Sequence, residues 1–355
     1  MKIQSRATFR TQFGLSMVEL MVALALGLLL TAGILQVFVG SKETFEFQRE
    51  LARIQENGRF AMEFLTRDIR QADYWGCHSD GTKVQSILNG AGSVDVYAAG
   101  ITGLDGVAAA STGYTSYLGG ANQPDAIILQ GARDAGVPVH KIPAATAANV
   151  QIYNTPLSDE IEKGDIVLIT DCKEARIFQV SGINSSTEPD AIPLGHNTGN
   201  IIVNGSAVGP GNSTNDFGYP FSSDAFIYSG ASQVRYWIRE GTSGEPALVR
   251  AEENDSGWND WENGGDELVD GVENMQLLYG VDTSNNGAPN YFAPADAVPD
   301  MDKVVSVQIH LAIRSLRENL VEPRQIEYYG GPKSTNDTRI HKVFTTTVAL
   351  RNRLD

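Results

Sequence analysis

Cysteine is scarce in this chain: 355 residues carry two, Cys77 and Cys172. Neither belongs to a C-x-x-C pair, and the five histidines (His78, His140, His196, His310, His341) are scattered, which excludes a closed structural metal site of the usual spacing. The sequence also lacks a G-x-S-x-G elbow, a Walker loop, an H-E-x-x-H pair and a dinucleotide glycine fingerprint. The expectation is therefore a chain with no catalytic residues and no cofactor. Basic residues are few, with 27 Lys and Arg against 43 Asp and Glu and a formal net charge of −16. Nucleic acid is excluded as a partner on that balance, because phosphate needs Lys and Arg to neutralise it. The acidity suits a solvated exterior domain.

What the chain does have is one long apolar run. From Leu15 to Val39, Glu19 is the only charged side chain. A run of about 25 residues spans a hydrocarbon core of about 30 Å as a helix. Ahead of it lies MKIQSRATFRTQFG, with Lys2, Arg6 and Arg10 and no acid. Positive charge before the first span keeps that end in the cytoplasm and puts the bulk of the chain across the membrane. A secretory signal has an apolar core of only about 7–15 residues and a small-x-small cleavage site, so this run is too long for one. A plain signal anchor leaves Glu19 unexplained. A carboxylate at the centre of a membrane helix costs about 2.5–3.5 kcal/mol, less near an end, and calls for a partner.

The basic leader, Gly14, the segment LSMVEL and the apolar helix together resemble the prepilin signal of type IV pilins and secretion pseudopilins. That resemblance implies cleavage by the prepilin peptidase between Gly14 and Leu15, followed by N-methylation of Leu15. Leu15 departs from the Phe or Met usual at that position. Counted from Leu15, Glu19 is residue five, where the family keeps a glutamate. The implied partner is the cationic N-terminus of a neighbouring subunit, met at low dielectric within a bundle of helices. A tolerated glutamate near the membrane surface is the alternative. Two cysteines on the oxidising side of a membrane are expected to pair, Cys77 with Cys172. In the chain-entropy model such a bond contributes about 4–5 kcal/mol. Two separate buried thiols are the alternative.

Four segments follow from the pattern. Residues 1–14 are the cleaved leader, 15–40 the membrane and filament-core helix, 41–75 an amphipathic helix and 76–355 a β-rich periplasmic head. In the amphipathic segment Phe47, Leu51, Ile54, Gly58, Ala61, Leu65, Ile69 and Ala72 recur at steps of three and four, the face expected to dock on a sheet. The helix is expected to run to about Tyr74, with Gly27, Gly33 and Gly58 as points of weakness. Residues 76–123 are rich in Gly, Ala, Ser and Thr and read as loops. They form a decorated surface loop or a subunit contact surface, and the pattern does not choose. A second polar insertion covers 181–223.

Strands are expected in DAIILQG, in GDIVLITDCKEARIFQV with Cys172 at the turn, and in QVRYWIRE followed by ALVRA. ENMQLLYGVD, KVVSVQIHLAIRS and HKVFTTTVALRNR complete the set. Val305, Val307, Ile309, Leu311 and Ile313 should share one face. A long amphipathic helix followed by antiparallel strands is an α+β fold, with the helix on one sheet face. GDIVLITDCKEARIFQV, ELVDGVENMQLLYGVDT, VVSVQIHLAIRS and the TTTVALRNR ending are similar to the PilW group of minor pilins, and more distantly to the J-type minor pseudopilin of type II secretion. The resemblance implies a type IV pilin-like fold.

Two loops carry oxygen-rich patterns. DTSNNG places Asp282, Ser284 and Asn286 at alternate positions before Gly287, as a calcium loop does. Ala293 stands where such a loop has its bidentate Glu, and the reading is a simple turn with calcium as the alternative. RAEENDSGWNDWENGGDE reads as a solvated acidic loop with Trp258 and Trp261 as aromatic anchors. The resemblance implies a structural role: a minor pilin that helps prime and cap a type IV pilus, with twitching and adhesion as its consequences. Its implied partners are the prepilin peptidase, other minor pilins, the major pilin and a large tip adhesin. Its implied route runs from the inner membrane to the cell surface. A type II secretion pseudopilin is the alternative within that class. A membrane-anchored periplasmic enzyme or ligand binder is the second class, and the missing nucleophile and cofactor motifs count against it.

Overall fold

The computed structural model describes residues 16–76, 84–89, 100–107, 109–112, 114–116, 118, 123–132, 135–141, 144–186, 188–222, 224–229, 233–252 and 261–354. The chain divides into a unit that ends at Leu51 and a second unit, Ala52–Asp355. One helix, α1 (Met17–Gln71), starts in the first and ends in the second.

In the first unit α1 is leucine-rich, and its large apolar side chains from Met17 to Val39 are exposed. By length and composition this stretch suffices to cross a membrane. The Thr31 hydroxyl donates to the Gly27 carbonyl at 2.8 Å, so this donor is not left unmet within the apolar run, and Thr44, beyond the run, makes the same bond to Gly40 at 2.8 Å.

In the second unit the predicted stripe is buried at Ile54, Gly58, Ala61, Leu65, Ile69 and Ala72, while Arg53, Glu56, Arg59, Glu63, Arg67 and Arg70 are exposed. The helix stops at Gln71, short of the expected Tyr74. Asp73 explains the stop. Its φ of 61° is left-handed, and its N–H donates to Gln130 O at 2.7 Å, which turns the chain onto a strand.

The strands follow in chain order. β1 (Val84–Ser86), β2 (Ile101–Leu104) and a short helix α2 (Ala109–Thr112) lie in the glycine-rich stretch. β3 (Ala126–Gln130), β4 (Val137–Lys141), β5 (Asn149–Tyr153), β6 (Ile166–Thr170) and β7 (Ala175–Gln179) come next. β8 (Gly182–Ile183), β9 (Ala191–Gly195), β10 (Gly199–Val203) and β11 (Ser206–Asn212) occupy the polar insertion. β12 (Phe226–Ser229), β13 (Gln233–Glu240), β14 (Pro246–Glu252), β15 (Asp266–Asp270) and β16 (Val272–Val281) continue the chain. β17 (Tyr291–Ala293), β18 (Val304–Arg314), β19 (Gln325–Tyr328), β20 (Gly331–Ser334) and β21 (His341–Ala349) close it.

Among the described residues these form an eight-stranded sheet β1-β7-β6-β12-β4-β5-β9-β8, a five-stranded sheet β15-β14-β13-β3-β2 and a four-stranded sheet β17-β16-β18-β21. Two hairpins, β10-β11 and β19-β20, stand apart from them. Pairing is antiparallel except for β1 on β7. The architecture is α+β.

The four-stranded sheet meets α1. Phe344 lies opposite Leu311, so the two side chains share a face. A Cβ added to Gly58 would fall 2.3–2.6 Å from the Phe344 ring. The face of Leu311 is therefore the helix-facing one, and Val305, Val307, Ile309 and Ile313 are buried with it. The opposite face is covered too: Leu118, Ala312 and Tyr328 pack together with Val343 and Ile326. Gly58, which the sequence puts on the docking stripe and also marks as a point of weakness, is thus a point of close approach to the sheet. We expect Gly58→Ala to destabilise the protein by about 1 kcal/mol. Overpacking of about 1–3 kcal/mol outweighs the roughly 1 kcal/mol that Ala gains in a helix. Thermal melts of G58A, F344A and the double variant check this. Melting of G58A above the parent, or simple additivity of the two changes, would contradict the close approach.

The polar insertion is more ordered than its composition suggests. Its Asn and Gln side chains supply the order. The Asn212 amide exchanges two bonds with the Gln179 backbone, N–H to Oδ1 and Nδ2 to O, both at 2.8 Å. The Gln179 amide in turn donates to Gly164 O at 2.6 Å and accepts from Gly211 N–H at 2.7 Å. The hairpin β10-β11 turns at Asn204 (φ 49°) and Gly205 (φ 84°), a two-residue Asn-Gly turn of the type that twisted strands favour. That dipeptide was a readable hairpin signal in the sequence.

Candidate assembly site and its polar links

Glu19 lies in the first turn of α1 and is exposed. Ser16 precedes the helix, and its Oγ accepts the Glu19 N–H at 3.2 Å. Ser16 is therefore the N-cap and Glu19 stands at the third helical position, the S-x-x-E spacing of a capping box. A carboxylate here also favours the positive end of the helix dipole. Gly14 and Leu15, the expected processing site, lie outside the described residues.

Cys172 sits at the β6–β7 turn with φ 66°, as placed by sequence. Asp171 builds that turn: its carboxylate accepts the N–H groups of Lys173 and Glu174, each at 3.2 Å, and of Ser222 at 2.9 Å. Burial pushes Asp171 up, but these donors and the Tyr219 hydroxyl hold it below the usual carboxylate range. Cys77, the expected partner of Cys172, lies outside the described residues.

The Asp282 loop is a hydrogen-bonded turn. Asp282 accepts from the Ser284 N–H at 2.9 Å and the Gly287 N–H at 2.7 Å. Asn286 accepts from the Ala288 N–H at 3.0 Å, and Lys303 donates to Asn285 at 2.9 Å. Among the described residues no group of three or more His, Cys, Asp or Glu is placed to hold a metal ion. Trp261 is a packing anchor. Its carbonyl accepts from Trp237 Nε1 at 2.8 Å, and the Arg235 guanidinium lies 4.0 Å over its ring. Trp258 lies outside the described residues.

Four buried polar links were not found by sequence reasoning. Asp68, on α1, accepts from the Tyr236 hydroxyl of β13 at 2.7 Å and from Arg250 Nε of β14 at 3.0 Å. Asp73 accepts from Trp75 Nε1 and from Arg353, which ties the helix end to the C-terminus. His341 lies between Glu273 (3.2 Å) and Asp337 (2.8 Å). Burial alone would lower the His341 pKa, but the two carboxylates raise it. Asp125 joins two sheets through the Gly106 N–H at 2.9 Å and the Leu277 N–H at 2.8 Å. Burial pushes its carboxyl up to about 7, further than those donors lower it. An acid among basic neighbours in a helix reads as surface charge. Only the fold reveals that Asp68 faces inward.

Neither the curated proteins nor the solved structures contain a significant match to this chain. Residues 235–352 match the family model described as type IV pilus-assembly protein W. The matched segment starts in β13 and runs through the whole of the four-stranded sheet. Over that segment, about a third of the chain, the sequence is similar to the PilW group of type IV pilus proteins.

Proposed function

We propose that this protein is a non-catalytic minor pilin that takes part in initiating the type IV pilus and in building its tip. The observation that carries the reading is the pairing of two independent signals. The C-terminal strands match a pilus-assembly family, and the N-terminus combines a basic leader, Gly14, Glu19 and a helix long and apolar enough to cross a membrane. On this reading the prepilin peptidase cuts after Gly14, and α1 holds the chain in the inner membrane with its head in the periplasm. Glu19 then pairs with the N-terminal amine of the next subunit. The partners are the major pilin, other minor pilins and a tip adhesin. A type II secretion system uses the same N-terminal signal, and the PilW match favours the pilus.

Intact-mass measurement of the protein from its own host tests the processing. The expected mass is that of residues 15–355 with one added N-methyl group. Without reduction it should be two hydrogens lighter, from a Cys77–Cys172 bond. A terminus other than methylated Leu15 would sink the pilin reading, and two free thiols would sink the pairing. Deletion of the gene should remove surface pili and twitching. Normal pili with a secretion defect would instead favour the pseudopilin.

A further inference from the structure

The basic residues of this acidic chain are not evenly spread. A groove of about 540 Å³ runs between α1 and the end of β21, lined by Arg59, Arg67, Arg70 and Arg351, with Glu63 as its acid and Thr346 on the strand side. Among the described residues Arg59, Arg70 and Arg351 make no ion pair and no side-chain hydrogen bond. Arg67 reaches Asp68 at 3.2 Å, but Asp68 is already held by Tyr236 and Arg250. Four guanidiniums therefore line a groove whose own lining holds one carboxylate, Glu63, with Arg67 also reaching Asp68, in a chain of formal charge −16. Guanidinium is the cation best suited to fork onto a carboxylate.

An independent feature adjoins the groove. Among the described residues β21 is the outer strand of its sheet, bonded to β18 alone. It pairs from His341 to Ala349 with no bulge. Natural edge strands are blunted by Pro, by bulges, by shortness or by charge. β21 has none of the first three, and Lys342 is its one full charge besides His341. Its centre is Thr345, Thr346 and Thr347, β-branched residues that suit strand pairing. An unguarded edge beside a basic groove is a fitted site for strand addition. Main-chain bonds would supply affinity, and the arginines would select acidic side chains.

We propose that β21 and this groove dock an extended acidic segment of a neighbouring pilus subunit. The choice of a pilus subunit rests on the proposed function. The chemistry of the site does not. The test places a photoreactive phenylalanine analogue at Thr346 in the full-length chain, expressed in its host without the native copy. Irradiation should give an adduct with another polypeptide, and mass spectrometry should map the cross-link to an acidic segment. R59E/R70E/R351E should cut the yield at least fivefold, and the single R351E at least twofold. The matching triple change to Lys should keep most of it. No adduct, a lipid adduct, a cross-linked peptide without excess acid, or an unchanged yield after charge reversal would each overturn the inference. Surface pili in the deletion strain are scored separately. Loss of pili on deletion with no Thr346 adduct removes the docking inference and leaves the pilin reading standing. Normal pili with the mapped acidic adduct do the reverse.

Discussion

Asp68→Ala should lower the stability of the second unit by about 3 kcal/mol, because breaking a buried ion pair from one side leaves an uncompensated charge. Asp68 is buried, and its oxygens receive Tyr236 Oη at 2.7 Å, Arg250 Nε at 3.0 Å and Arg67 Nε at 3.2 Å. Arg250 keeps Glu252 at 2.7 Å, so the loss is smaller than for a wholly stranded cation. Chemical unfolding of D68A, R250M and D68A/R250M measures the coupling. We expect the double variant to be less destabilised than the sum of the singles by 1 kcal/mol or more. Simple additivity would show that the pair contributes nothing beyond its separate parts. The pH dependence has a defined sign. Burial pushes Asp68 up, but the Tyr236 and Arg250 bonds outweigh it and lower its pKa below 3.8. A depressed carboxylate contributes stability above its unfolded pKa and loses it as the pH falls through the folded value. The difference between parent and D68A should therefore shrink below about pH 4.

Glu19→Gln should reduce surface pili at least tenfold while leaving processing and membrane level near those of the parent. The structure makes this substitution informative, because Glu19 has two candidate roles. One is local: Ser16 caps the helix and Glu19 holds the third position of the capping box. Gln serves that role as well as Glu, so the variant keeps the cap and removes only the charge. The other role is pairing with a neighbour's amine, which Gln cannot do. A neutral side chain also enters lipid more easily than a carboxylate, so insertion should not suffer. Ser16→Ala is the complementary change, weakening the cap by about 1 kcal/mol and leaving the charge in place. We expect it to assemble pili normally. Normal pili in E19Q with few in S16A would assign Glu19 to the helix end instead. Immunoblots of membranes, with pili sheared from the same cells, supply every reading.

By itself the sequence determined the elements whose signal is local. The apolar run from Leu15, the stripe from Ile54 to Ala72, the β6–β7 hairpin around Cys172 and the alternation of β18 are set by which residues recur at which spacing. Each is recovered because periodicity reports the face a segment will bury. The tertiary structure decided what periodicity cannot carry. Asn212 and Gln179 build order into a polar insertion through amide-to-backbone bonds, which leave no hydrophobic pattern. Asp68 becomes a link between helix and sheet because Tyr236 and Arg250, far away in sequence, are folded against it. The edge of β21 and the arginines of α1 become one surface only because the last strand ends its sheet beside the helix. Hydrogen bonds and charges act between residues brought close by the fold, and their partners are not written at any fixed spacing along the chain.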